Sequence, residues 1–288
     1  MMNSTRKNRT GFTLVEMLVV IFIIVILIGL LMPAINAARE AARATKCFNN
    51  QQELAKAIIH YETAKNRLPG VLSFVNPSDP TKSAKVNWVM SIFGELGRMD
   101  LWQYWQDGPL DNITTLPKVA VKVGQLICPS NSLVEPVGGL SYVVNMGVYQ
   151  TKDSGGNVIP DYSVRLFRNR AAWDASATVT ENKSEPDQNL TSMKSLTRAV
   201  MFSEKKQAGP WNYIPAVIPP PGNFTDLNPL AFQWSPEGIA NKIRDLPPGL
   251  GSYHRGMIIV TFCDGHSEKI PDTTACWNDP DNQLIGTP

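Results

Sequence analysis

The alternation of polar and apolar residues breaks down early in the chain. Residues 17–32 are almost unbroken Leu, Ile, Val, Phe and Met, and between Phe12 and Ala38 the single charged residue is Glu16. About 20 apolar residues in a helix, rising ~1.5 Å each, cross the ~30 Å hydrocarbon layer of a bilayer. Beyond the run, Ala34, Ala37, Ala38, Ala41, Ala42 and Ala44 favour helix, while Arg39, Glu40, Arg43 and Lys46 mark an exit into water. Leu54, Ala57, Ile58 and Tyr61 then recur at helical spacing along 51–64. Pro69-Gly70 is the stop signal. The pattern predicts one helix of roughly 50 residues, ~75–80 Å long, apolar all round in its first half and amphipathic in its second. Pro33 removes one backbone hydrogen bond inside it and is expected to bend or loosen it.

After residue 67 the pattern changes to short apolar stretches between turn signals. Residues 87–105, with Trp88, Phe93, Trp102, Tyr104 and Trp105, predict a helix packed on a sheet. Residues 125–128, 140–148 and 199–204 read as strands, the last of them buried. Residues 257–263 are β-branched and apolar on both faces and predict a central strand. Asp264-Gly265 follows as a two-residue hairpin turn, and 266–270 return as its partner. Stretches 150–190 and 205–250, rich in Pro, Gly, Asn and Asp, read as loops. The fold class is α+β: a long N-terminal helix packed on a loop-rich head with an antiparallel sheet.

Composition adds three constraints. The 288 residues are 43% apolar and 18% charged, ample for a core plus an anchor. The net charge is +2, and Arg6, Lys7 and Arg9 lie ahead of the apolar run. The remainder is close to neutral, so nucleic acid is not an expected partner. The same three basic residues keep the N-terminus in the cytoplasm by the positive-inside rule and place the head outside it. The four cysteines, Cys47, Cys128, Cys263 and Cys276, form no C-x-x-C pair. In an exported chain they permit two disulfides; Cys47–Cys128 and Cys263–Cys276 are one pairing, and buried free thiols are the other reading.

Three readings compete for the apolar segment. A secretory signal peptide has a shorter apolar region and a small-x-small cleavage site, which 34–38 supply poorly. An uncleaved signal anchor fits length and charge but leaves Glu16 unexplained, and a carboxylate in a membrane helix is costly and a functional candidate. The third rests on Arg9-Thr10-Gly11-Phe12-Thr13-Leu14-Val15-Glu16. This string closely resembles the leader of type IV prepilins and type II secretion pseudopilins. The resemblance implies cleavage by prepilin peptidase between Gly11 and Phe12, N-methylation of Phe12, a leader of 1–11, a transmembrane and amphipathic helix of 12–66 and a periplasmic head of 67–288. It makes Glu16 the fifth mature residue, the acid of the family's assembly helix, and puts Pro33 where many pilins carry a kinking proline. Glu16 lies one helical turn from the new amino terminus, and in a filament it could meet the amino terminus of a neighbouring subunit.

The head is similar to a group of prepilin-like bacterial proteins. The matching segments are Cys47-Phe48-Asn49-Asn50, the Trp-containing stretch 88–104, Cys128-Pro129-Ser130, the approach from Ser195-Leu196-Thr197 to Glu204, and His254 followed after nine residues by Asp264-Gly265. Where the family carries an asparagine-leucine-lysine-glutamine run after the first Cys, this chain has Asn50-Gln51-Gln52-Glu53-Leu54.

An enzymatic reading starts from His254, Asp264 and His266, with Cys263 nearby. Asp264 belongs to the turn, no third ligand stands at metal spacing, and no hydrolase or phosphate-loop motif is present. The bland expectation is that Asp264 serves the turn and His254 hydrogen-bonds across it. Asn278-Asp279-Pro280-Asp281-Asn282 could bind calcium through oxygen ligands, but Pro280 and the spacing favour a solvated loop. The expectation is therefore a non-enzymatic pseudopilin without a metal or other cofactor. Its partners are prepilin peptidase, other pilin-like subunits and inner-membrane lipid; it crosses that membrane once or stands in a cell-envelope filament. A membrane-tethered binding protein using the prepilin route is the alternative, and an anchored hydrolase the third reading.

Overall fold

The computed structural model describes residues 12–75, 85–107, 121–131, 138–148, 151–152, 158–159, 166–168, 170–173, 179–181, 189–193, 196–197, 199–206, 209–212, 231–234 and 250–271. The chain divides into two units, the first ending at Arg43 and the second beginning at Ala44. The boundary falls inside the first helix rather than after it.

Helix α1, Leu14–Lys65, runs unbroken through Pro33. It starts on a reciprocal cap. The Glu16 N–H donates to Thr13 Oγ1 (3.3 Å), and Glu16 Oε2 accepts from the Thr13 N–H and hydroxyl (both 2.8 Å). This Thr-x-x-Glu box satisfies backbone donors that a helix start leaves orphaned. The helix ends at Asn66, whose φ of 53° is the left-handed conformation that closes helices. The stop therefore comes before Pro69-Gly70, because Asn is among the few residues besides Gly that take up that conformation.

The head is built on a five-stranded sheet. Its strands are β3 (Tyr142–Val148), β8 (Val200–Glu204), β9 (Ala231–Trp234), β10 (Met257–Phe262) and β11 (Ser267–Pro271), in the spatial order β11-β10-β8-β3-β9. The first four in that order pair antiparallel, and β9 joins β3 in parallel. Three two-stranded hairpins accompany it: β1 (Leu72–Phe74) with β2 (Lys85–Asn87), β4 (Thr151–Lys152) with β5 (Val158–Ile159), and β6 (Ala171–Trp173) with β7 (Val179–Glu181). The stretches expected to be wholly loop thus contribute an edge strand and two hairpins.

Three other expectations are corrected. The helix expected over 87–105 is two helices, α2 (Trp88–Ser91) and α3 (Met99–Asp107). Gly94 and the positive φ of Gly97 (71°) interrupt it. Residues 124–126 form a 3-10 turn, not a strand. The β10–β11 connection is a three-residue loop: Phe262 N–H donates to the His266 carbonyl and Gly265 N–H to the Phe262 carbonyl (both 2.9 Å), with Gly265 at φ 88°. That is a type I turn closed by a left-handed glycine.

The second part of α1 supplies one wall of the core. Cys47, Leu54, Ala55, Ala57 and Ile58 are buried with Val144, Met201, Phe202 and Ile259 from the sheet. Burying a Leu or Ile side chain contributes about 1.5–3 kcal/mol. Polar residues fix the docking. Gln51 donates to the Ile259 carbonyl (3.2 Å) and accepts from Thr261 Oγ1 (2.8 Å); Asn50 donates to the Gly124 and Ile127 carbonyls; Glu62 accepts the Leu190 N–H. Trp88 is core, as expected, and Trp211 joins it with its ring edge-on to Phe93 at 5.0 Å.

Candidate functional site

Two places in the chain carry candidate function. The first is the start of α1. Large apolar side chains from Leu14 to Ile35 are exposed on every side of the helix, and this segment is long and apolar enough to span a membrane. Gly11 lies outside the described residues. Phe12 and Thr13 precede the first turn, and Glu16 closes the cap. A carboxylate offers about four acceptor sites, so Glu16 can hold this cap and still receive a further donor.

The second is a buried cluster that no local spacing announces. Cys47 comes from α1, Cys128 from the turn after the 3-10 segment, Glu204 from the end of β8 and His254 from the approach to β10. All four are buried, and their ligand-type atoms lie within 4.8 Å of one another. The Cys47 thiol donates to Glu204 Oε1 at 2.8 Å; His254 Nε2 is 3.3 Å from Cys128 Sγ and 3.6 Å from Glu204 Oε1. Tyr142 and Glu204 are cross-strand partners on one face of the sheet. From there the Tyr142 hydroxyl reaches Cys47 Sγ at 3.2 Å. Glu204 Oε2 accepts the Ile259 N–H at 3.0 Å.

These neighbours compete for charge. Burial, the hydrogen bond to Cys128 and the Glu204 charge push the Cys47 thiol up. Cys128 is drawn down to about 5, first by the bond from Cys47 and then by His254 and the Ser130 backbone N–H, against the cost of burial. Glu204 is pushed up to about 7 by burial and by the Cys128 charge, against bonds from Cys47, Ile259 and Ser252.

The predicted residues therefore separate. Cys47 and Cys128 meet, but as free thiols and not as a disulfide. Cys263 is also a free, buried thiol; Cys276 and the acidic stretch 278–282 lie outside the described residues. His254 does not serve the hairpin turn: its Nε2 faces Cys128 and Glu204. Asp264 does serve the turn, accepting the His266 N–H at 3.0 Å and pairing with His266 Nδ1. Gly265 has a second duty, because a Cβ there would lie 3.1 Å from Ile59 Cδ1 of α1. In the sequence Glu204 stands only as the end of a strand. Its signal, an acid closing an otherwise apolar buried strand, was present in the sequence.

Residues 36–276 match the family described as "Protein of unknown function (DUF1559)", a span containing all four cluster residues. The chain belongs to the DUF1559 family. In this DUF1559 chain, residues 6–32 also match the prokaryotic N-terminal methylation motif, which takes in Gly11, Phe12 and Glu16. With its apolar first helix the DUF1559 chain is a pilin-like, single-pass membrane protein of the kind processed by prepilin peptidase. No curated protein and no solved structure matches it.

Proposed function

We propose that the chain is a pseudopilin, a structural subunit of a type II secretion or type IV pilus-like assembly at the bacterial inner membrane. Its N-terminus lies in the cytoplasm and its head in the periplasm. The observation that supports this most is the methylation motif running directly into a helix whose apolar side chains are exposed all round. Cleavage falls between Gly11 and Phe12, and Phe12 is methylated. The work of the molecule is assembly and not turnover. Lipid covers the apolar segment first, and the equivalent segments of other subunits cover it in the assembled stem. Glu16 pairs with the amino terminus of a neighbour and sets the stagger, two charges tolerable together where each alone is costly.

Intact mass and N-terminal sequencing of the protein from its native membrane test the processing. A methylated Phe12 start is expected; a start at Met1 or Met2 would reduce the segment to a signal anchor. The cap geometry sharpens the test of Glu16. Gln can hold the box to Thr13 but carries no charge. If charge pairing sets the stagger, Glu16→Gln fails to assemble as badly as Glu16→Ala. If the cap alone matters, Glu16→Gln assembles normally. Normal assembly state in both variants would favour a lone tethered binding domain.

A further inference from the structure

We propose that Cys47, Cys128, Glu204 and His254 form a closed, tetrahedral site for one zinc ion inside the head. The chemistry of the donor set points there first. Two thiols, an imidazole and a carboxylate come from four separate elements and converge on one buried point, their ligand atoms all within 4.8 Å of one another. Around a tetrahedral zinc with bonds of ~2.0–2.3 Å, neighbouring ligand atoms stand ~3.3–3.8 Å apart. Of the separations of 2.8, 3.3 and 3.6 Å among Sγ, Nε2 and Oε1, two match that spacing and one is shorter, so small adjustments suffice. Sulfur ligands disfavour calcium and magnesium, which take oxygen, and a four-ligand set with no open position is that of a structural rather than a catalytic zinc.

The surroundings have the form of an outer ligand shell. The Ser130 backbone N–H bonds to Cys128, and the Tyr142 hydroxyl lies against Cys47 Sγ. The Ile259 N–H and Ser252 hold Glu204. Such contacts orient ligands and spread their charge. A cluster needing only hydrogen bonds has little use for two thiols, which are weak donors and acceptors.

The ion would join α1 to β8, to the turn at Cys128 and to the approach to β10. It would occupy the thiols that export to an oxidising compartment otherwise exposes to oxidation.

The test uses the full chain extracted in mild detergent. Elemental analysis should find about one zinc per chain in the wild type and in Cys263→Ser, and at least about tenfold less in Cys128→Ser and His254→Ala. Because removing a ligand can also unfold the head, the wild type is in addition stripped with chelator and titrated with Co2+. Saturation at about one equivalent, with thiolate-to-cobalt charge transfer and the intense visible bands of tetrahedral cobalt, is expected, as is displacement by Zn2+. Reduced wild-type protein that takes up neither ion overturns the proposal. So does undiminished zinc in a folded Cys128→Ser, or a Cys47–Cys128 disulfide in protein taken directly from the membrane.

Discussion

The two parts of α1 invert each other. Before Arg43, Leu, Ile, Val and Phe side chains stand exposed; after Ala44, Asn50, Gln51 and Glu62 are buried. A residue's polarity thus says little about its exposure until its surroundings are known. The first part is apolar because its surroundings come from outside the chain. The second is polar in places because its surroundings are the backbone edges of its own head, the Ile259 and Gly124 carbonyls and the Leu190 N–H among them. Apolar contact gives the first part adhesion without direction, whereas directed hydrogen bonds give the second one register.

Substitutions can break that contrast. Leu54→Ala should cost the head about 2–5 kcal/mol, read by thermal or denaturant unfolding, because it opens a cavity between helix and sheet. Leu27→Ala, in the exposed part, should leave head unfolding unchanged. Ile24→Lys should cost membrane insertion about 2.5–3.5 kcal/mol, measured by fractionation, again without altering the head. Gln51→Leu should cost about 1–2 kcal/mol of head stability. The loss is limited because the Ile259 carbonyl also accepts from Ser203 and Thr261 also pairs with Ser267. Thr13→Ala should cost the helix start about 0.5–1 kcal/mol, seen as faster amide exchange in the first turn in micelles.

The sequence made the first part legible because its signals are contiguous. A basic leader, a short string and an unbroken apolar run can be read without knowing what they touch. Strand β10 was legible for the same reason, as was the turn at Asp264-Gly265, though its loop proved one residue longer than expected. The second part of α1 showed its apolar stripe but not its partners. Gln51 meets Ile259 and Thr261 only after the sheet has formed, and nothing near Gln51 in the chain says so. The cluster is the extreme case. Cys128 and His254 are 126 residues apart, Cys47 and Glu204 are 157. Single residues on four elements have no spacing to read, and so the sequence sets His254 beside the hairpin turn that follows it and not with Cys128 and Glu204. The 3-10 turn at Gly124–Leu126 is not legible in the sequence because Ile127 and the following Cys-Pro suggest strand, while Asn50 of α1 holds the Gly124 carbonyl and that of Ile127 just after the turn.

The nine residues between His254 and Asp264 are, in the folded head, a length. Before β10 His254 stands within 4.8 Å of Cys47, and after it Gly265 lies against Ile59, both partners being on α1. From Cys47 to Ile59 the helix rises ~18 Å. The six residues of β10 extend ~20 Å. Helix and strand run beside each other over a similar span, held near both ends and at Gln51 between them. One residue inserted into β10 would lengthen the strand by ~3.3 Å and turn every side chain beyond it to the opposite face, so that both ends could no longer close on the same helix.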